Sequence, residues 1–359
     1  DYGGLENGVA NLINALPGGS FRHAVIALTD ATEFRDRLMD DAAVYTLGKK
    51  PGKDLMAYVR LYMLLRKLRP AIVHTRNVGT MDCALVAFLA RVPVRIHGEH
   101  GWDVHDPDGT NPKYRFIRRV LQRFIHQFVT VSDDLKRWLS DVVGIQAGKI
   151  CHICNGVDTD RFRPPSIESD IDGVVIGSVT RFSAIKDPLN LVDAFIELRN
   201  AGLLAKLSMI GDGELRAVAT GNLKDAGLED DVWLPGSRDD IPRQLRSMDI
   251  FVLGSLREGI SNTILEAMAS GLPVIASDTG GNRELIKDGV NGVLVPPGDR
   301  AALARAIRDY VQDPERRRRH GLASRERVLS RFSLDTMVES YRQVYCGVAS
   351  LQEYCDVRD

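Results

Sequence analysis

The chain reads as an α/β protein of two domains, each built on a parallel sheet, and three observations lead there. Its 359 residues correspond to about two domains at ~150 residues each. Short strand-like apolar runs alternate with longer helical stretches along nearly the whole sequence, and that alternation implies parallel sheets covered by helices on both faces. The rhythm breaks once, at the Gly/Pro/Asp-rich stretch Asn155-Gly156-Val157-Asp158-Thr159-Asp160-Arg161-Phe162-Arg163-Pro164-Pro165. The balance of charge changes sign there: residues 1–165 carry 23 Lys+Arg against 18 Asp+Glu, and the remainder carries 24 against 30.

Taken in order, Leu5, Val9, Leu12, Ile13 and Leu16 sit at helical spacing, and Ala24–Leu28 reads as a strand. A short helix near 33–39, a strand over Val44–Leu47, a helix over 54–68 and a strand over Ala71–His74 follow. Val94–Ile96 and Phe128–Val131 are the next strands. Beyond the linker, Val174–Val179 restarts the pattern, and strands recur at 205–210, 249–253 and 273–276. The C-terminal stretch of ~45 residues reads as successive helices. The expected divisions are 1–165, 166–331, and a helical segment 332–359 that returns to the first domain.

Composition excludes several classes. Hydrophobic residues at 44% and charged residues at 26% exclude a disordered tail, a collagen-like repeat and a coiled coil. The five cysteines, Cys83, Cys151, Cys154, Cys346 and Cys355, are few and scattered, which argues against a disulfide framework and fits a reducing compartment. A net charge of -1 gives no reason to expect a nucleic-acid partner. The apolar run Cys83–Ala90 falls far short of the ~18 residues of a spanning helix, and no basic-then-apolar leader is visible.

The richest segment runs from Phe251 to Pro273. A strand ends in a loop holding Gly254, Glu258 and Gly259, and a helix begins near Ser261 and stops at Gly271. Ser261, Asn262 and Thr263 would present free N–H groups and hydroxyls at a helix N-terminus, a geometry that attracts phosphate. Glu266, within that helix, could accept two hydrogen bonds from a vicinal diol such as a ribose. The same spacing also fits a capped helix with merely solvated glutamates. Arg181 and Lys186 follow the strand Val174–Val179, at the strand end where open α/β sheets bind ligands. Gly211-Asp212-Gly213 and Gly280-Gly281 end two further strands, where glycine would let backbone approach a ligand.

Together, Arg181 with Lys186, Gly211-Asp212-Gly213, Glu258 with Glu266, and Asp278-Thr279-Gly280-Gly281-Asn282 with Glu284 resemble the C-terminal domain of retaining family-four glycosyltransferases of the GT-B fold. Gly3-Gly4-Leu5-Glu6, Val131-Ser132 and the linker to Pro164 resemble that family's N-terminal domain, so the resemblance spans essentially the whole chain. Within the family it is most similar to bacterial sugar transferases of exopolysaccharide assembly. The resemblance implies two Rossmann-like domains facing a cleft and a nucleotide-diphosphate sugar as donor. A first strand is implied immediately before Gly3.

Carried over by that resemblance, Arg181 and Lys186 hold the diphosphate and stabilise the leaving group, Glu258 faces the donor sugar, and Glu266 binds the ribose. Ser261, Asn262 and Thr263 touch phosphate, and Arg238 in the loop Gly236–Ile241 flanks the base. Gly3 and Gly4 give donor and acceptor access to backbone, Gly211 and Gly213 line the donor site, and His100 touches the sugar, with His97 the second choice. The resemblance implies retention of configuration, no metal and no cofactor. Related alternatives are a nucleotide-sugar epimerase on the same architecture, and a non-catalytic nucleotide-sensing protein at a membrane surface.

Other motifs are weaker. Asp106-Pro107-Asp108, Asp158-Thr159-Asp160 and Asp170-Ile171-Asp172 spell a metal–nucleotide pattern, but each lies in turn composition where aspartate bonds its own backbone. Cys151-His152-Ile153-Cys154 lacks the second pair that zinc would need, and Gly211-x-Gly213 lacks the third glycine of a dinucleotide fingerprint. Residues 113–126 carry Lys113, Arg115, Arg118, Arg119 and Arg123 without an acid. A helix of that kind can lie on an anionic leaflet or simply pack on its sheet. With Lys49, Lys50, Lys53, Arg66, Lys67 and Arg69 in the same domain, a cytoplasmic location on the inner face of a membrane is the expectation, with a glycan or lipid-linked acceptor.

Overall fold

The computed structural model describes residues 4–17, 19–38, 42–52, 54–102, 106, 108–165 and 173–356. The chain forms two compact units, Asp1–Gly156 with Leu334–Asp359, and Val157–Ser333. In the first unit the elements are α1 (Gly4–Ala15), β1 (Ala24–Ala27), α2 (Thr32–Arg35), β2 (Ala43–Thr46), α3 (Leu55–Leu68), β3 (Ile72–Arg76), α4 (Cys83–Leu89), β4 (Val94–Glu99), α5 (Pro112–Leu121), β5 (Gln127–Thr130), α6 (Asp133–Arg137) and β6 (Ile150–His152). The second unit holds β7 (Val174–Val179), α7 (Pro188–Asn200), β8 (Ala205–Ile210), α8 (Arg216–Asp225), β9 (Val232–Gly236), α9 (Ile241–Leu245), β10 (Ile250–Leu253), α10 (Asn262–Ala269), β11 (Val274–Ser277), α11 (Asn282–Leu285), β12 (Gly292–Val295), α12 (Arg300–Gln312) and α13 (Pro314–Arg331). The last helix, α14 (Leu334–Asp356), belongs to the first unit.

Side-chain caps fix many of the helix starts. Asp54 accepts from the Ala57 amide to open α3, Asn111 with Pro112 opens α5, Ser261 opens α10, and Asp299 opens α12. Each satisfies a donor that a helix N-terminus leaves free.

In the first unit β3-β4-β5-β6 form one parallel sheet in chain order, while β1 and β2 pair with each other in a separate two-stranded sheet. Val94, Ile96 and Val129 pack against Leu12 of α1, Leu16 just beyond it, and Met337, Tyr341 and Tyr345 of α14. That contact places the C-terminal helix with the N-terminal residues. In the second unit six parallel strands run β12-β11-β10-β7-β8-β9, so the order reverses between β7 and β10. Ile176, Leu207, Met209, Ile250 and Val252 join Phe195 of α7 and Ile307 and Tyr310 of α12 in its core.

The structure corrects the sequence reading in four places. The division falls at Gly156–Val157, not after Pro165. The linker packs on the second unit: the Val157 amide donates to the Phe332 carbonyl, and Arg325 donates to the carbonyls of Thr159, Phe162 and Ala269. β9 and β12 were not foreseen; both are outer strands of their sheet, short and only partly buried, and β9 contains Pro235, which reads as loop. β4 runs on to Glu99, so His97 is a fully buried strand residue and not a loop residue. Lastly, residues 113–126 are a short helix and turn in which three of the five cations are hydrogen-bonded within the fold. Arg118 is buried and forks onto Glu99 at 2.6 and 3.1 Å, Arg115 bonds the Gly109 carbonyl, and Arg119 bonds those of Val142 and Val143. Lys113, Arg119 and Arg123 are exposed.

Candidate functional site

In an open parallel sheet, the carboxyl ends of the strands on either side of an order reversal diverge and leave a crevice. In the second unit those strands are β7 and β10. Past β7 the chain places Arg181, exposed and with no side-chain hydrogen bond or ion pair among the described residues. Lys186 follows in the short turn Ala184–Lys186. Past β10 the loop carries Ser255 and Glu258, both buried. Lys186 Nζ bonds Glu258 Oε1 at 2.5 Å, and Ser255 Oγ donates to the same oxygen at 2.7 Å. The pair therefore ties the two loops together across the reversal point, with Lys186 anchored on the carboxylate and Arg181 exposed.

Next to it, Ser261 caps α10 by accepting from the Ile264 amide at 3.2 Å, and its Oγ lies 3.2 Å from Thr263 Oγ1. This leaves Asn262 and Thr263 in the first turn, where amides point out of the helix. Glu266 follows one turn later, about 6 Å along the axis. Its carboxylate has no hydrogen-bond partner among the described residues. Loss of water raises its pKa to about 7, opposed only in part by Arg161. A carboxylate in that state is short of donors, and two hydroxyls of a diol would supply them.

The glycines have a more specific job than the sequence suggested. At Gly211 φ is +135°, and a Cβ there would strike the carbonyl oxygen of Thr180; at Gly213 it would strike that of Phe182. At Gly280 φ is +50°, and a Cβ would strike the carbonyl of Glu258, while at Gly281 it would meet that of Gly259. In every case the close neighbour is an adjacent strand-end loop, so these glycines draw the loops after β7, β8, β10 and β11 into one cluster. Arg238, after β9, is exposed, bonds Asp240 at 2.8 Å and lies over the ring of Trp233.

In the first unit His100 directly follows β4, half-buried. Arg76 Nη1 donates to its Nε2 at 2.7 Å, and its backbone amide donates to Asn77 Oδ1 at 2.8 Å. A guanidinium only donates, so His100 Nε2 must accept. Burial, together with the charge of Arg76, holds His100 well below the ordinary histidine value. The ring is thus neutral, with its proton on Nδ1. Below it, burial would raise Glu99, but the His97 imidazole at 3.4 Å and the Arg118 fork outweigh this and bring it to about 2. Gly4 begins α1; Gly3 lies outside the described residues.

The structure therefore gathers Arg181, Lys186, Glu258, Gly211, Gly213, Ser261, Asn262, Thr263 and Glu266 at one edge of the second sheet, and puts His100 at the corresponding edge of the first. Sequence reasoning missed Ser255, Arg161 and Arg76, whose partners are set by tertiary contact rather than by any motif. The Asp-x-Asp stretches behave as turns: Asp106 accepts from the Asn111 amide, Asp108 from Thr110, and Asp158 from the amides of Asp160 and Arg161. Asp170 and Asp172 lie outside the described residues. Cys151 and Cys154 are not in a disulfide, and Cys151 Sγ donates to the Phe128 carbonyl at 3.3 Å.

Comparison with known proteins identifies the family and the fold. Residues 2–161 match Glycosyltransferase Family 4, and residues 173–313 match Glycosyl transferases group 1. The chain is 30% identical over 276 residues to the UDP-Gal:alpha-D-GlcNAc-diphosphoundecaprenol alpha-1,3-galactosyltransferase of Escherichia coli, covering 73% of this chain and 71% of that one. It is 32% identical to the putative glycosyltransferase EpsD of Bacillus subtilis (strain 168), covering 82% and 81%. Among solved structures, Anabaena Alr3699/HepE in complex with UDP and glucose shares the fold with a TM-score of 0.82 at 20% identity, covering 96% of each chain.

Proposed function

Because the chain belongs to the family-four glycosyltransferases, with their GT-B fold of two Rossmann-like units, we propose that it moves a sugar from a uridine-diphosphate sugar to a lipid-linked or growing glycan acceptor in cell-surface polysaccharide assembly, with retention of configuration and without a metal. One observation carries the donor side of this reading. The β7/β10 reversal point brings together an unpaired Arg181, the Lys186–Glu258 bridge, the α10 N-terminus and a water-starved Glu266. UDP as the nucleotide is supported by the names of the similar proteins.

In this reading the ribose diol donates to Glu266, and the diphosphate lies against the amides of Asn262 and Thr263. As the sugar–phosphate bond breaks, negative charge grows on the diphosphate, and Arg181 with Lys186 stabilises it. Such preorganised electrostatic contacts are worth about 100- to 1,000-fold in rate each. The acceptor hydroxyl bonds the anomeric carbon and passes its proton to the departing diphosphate oxygen. Glu258, held by Lys186 and Ser255, faces the sugar as a fixed acceptor of hydrogen bonds, and neutral His100 offers an Nδ1–H donor. Arg238 flanks the base.

Among the described residues no helix is long and apolar enough to cross a membrane; a lipid-linked acceptor would be met by peripheral contact with the inner leaflet. The test is thermal unfolding with UDP, GDP, ADP, CMP and NAD, on the wild type and on Glu266→Ala and Arg181→Ala. A ligand at ~100 times its Kd adds about 2.7 kcal/mol. A midpoint rise with UDP alone, absent in both variants, is expected. Equal responses to all five, or none, would refute the donor site. Activity abolished by chelator and restored by manganese would refute metal independence, and an inverted anomer in the product would refute retention.

A further inference from the structure

One helix of the first unit departs from the usual pattern of apolar inside and polar outside. Ala57, Leu61 and Leu65 form the inward face of α3. Its outward face is apolar as well: Leu55, Met56 and Met63 are 76%, 59% and 57% exposed, and Val59 and Tyr62 lie between them. These five positions share one helical stripe. At the C-terminal end of α4, packed alongside, Phe88 and Leu89 are also exposed. Patches of this kind, rimmed by polar groups, mark contact surfaces.

The rim is basic. Residues 42–98 hold ten Lys+Arg and two acids, Asp54 and Asp82. Both acids are engaged: Asp54 caps α3 and bonds Arg60, and Asp82 accepts from Tyr58. Lys50 is exposed ahead of the stripe, and Arg66, Lys67 and Arg69 are exposed beyond it. A second copy of this surface would set like charges against each other, whereas an anionic bilayer offers apolar depth under a negative surface and satisfies both features.

We propose that the outward face of α3, with its basic flanks, is the surface by which this chain docks on an anionic membrane, in place of residues 113–126, where Arg115, Arg118 and Arg119 are bonded to Glu99 and to backbone carbonyls within the fold. The Tyr58–Asp82 bond sets the apolar half of α3 beside the start of α4, at the carboxyl edge of the sheet where His100 also follows its strand. A lipid-linked acceptor could then keep its chain in the bilayer while its head reaches that edge. The inference rests on the peripheral-membrane reading above.

The test is co-sedimentation with vesicles of phosphatidylglycerol and phosphatidylcholine, and with phosphatidylcholine alone. It compares wild type, Met56→Gln/Met63→Gln, and Lys113→Gln/Arg123→Gln, with melting curves to confirm that each folds. Glutamine is a good helix former, so the α3 variant should fold normally. The expected result is wild-type binding to the anionic vesicles, weakened by high salt and reduced roughly tenfold or more in the α3 variant, with the α5 variant close to wild type. Equal binding by the α3 variant, with loss in the α5 variant, would overturn the proposal and leave the peripheral-membrane reading standing. No wild-type binding to either vesicle would overturn both, leaving the UDP response to report on the transferase separately. Self-association of the wild type that Met56→Gln/Met63→Gln abolishes, seen by sedimentation velocity, would overturn it in favour of a second copy.

Discussion

Glu266 should make donor binding depend on pH. Its carboxyl titrates at about 7 in the free protein, against an ordinary 4.5, because burial removes water and no donor replaces it. Only the ionised form accepts both hydrogen bonds of a ribose diol, so binding selects that form and releases a proton below pH 7. Affinity should therefore be flat above about pH 8 and fall about tenfold per pH unit below about pH 6. Free UDP is a poor probe because its terminal phosphate titrates near pH ~6; a UDP-sugar, whose diphosphate is fully esterified, avoids this. Isothermal titration in two buffers of different ionisation enthalpy, between pH 5.5 and 8.5, would count about one proton released per site at the low end. Glu266→Gln should bind weakly at every pH and lose the slope. The same shift bears on folding. A carboxyl raised on folding favours the native state at low pH, and this contribution is lost as pH rises from the unfolded value through about 7. Glu266→Gln should thus gain up to about 3 kcal/mol relative to wild type at pH 8, and little at pH 4. A wild-type affinity that is flat across the range, or a slope that survives in Glu266→Gln, would refute this account of the site.

Two further outcomes follow from the loop cluster. Lys186→Met leaves the buried Glu258 carboxylate with only Ser255, and should cost about 3–5 kcal/mol; Lys186→Met/Glu258→Gln should recover part of this, giving a coupling of about 1–3 kcal/mol in denaturant titrations, and strict additivity would contradict the bridge. Gly280→Ala forces a side chain into a left-handed conformation against the Glu258 carbonyl, so it should cost about 2–4 kcal/mol and weaken UDP-sugar binding; unchanged melting and affinity would show that the loops are not held in contact there.

Much of the proposed donor site could be read along the chain because its parts are local. A strand, a loop with Glu258, the cap Ser261 and Glu266 one turn later all lie within a short stretch, and cap chemistry and helical period place them without knowledge of the rest. Arg181 and Lys186 likewise follow one strand directly. The outer strands β9 and β12 were harder, because short, half-solvated strands carry little apolar pattern and Pro235 imitates a loop. The linker boundary was displaced because Arg325, which anchors Thr159 and Phe162, lies more than 160 residues away in the chain.

What the sequence determined by itself was the alternation of strand and helix, the two-unit plan, and which residue types stand at the strand ends, since all of these follow from local period and turn chemistry. Only the tertiary structure decided which atoms those residues meet. The sheet order set Lys186 against Glu258, loop packing turned the glycines toward neighbouring carbonyls, and Arg76 fixed the tautomer of His100. It also bonded three arginines of α5 to groups of their own unit while leaving both faces of α3 apolar. A helical pattern records that a residue is charged or apolar, but not which side of the helix the sheet will cover, and that side is chosen only when distant segments pack.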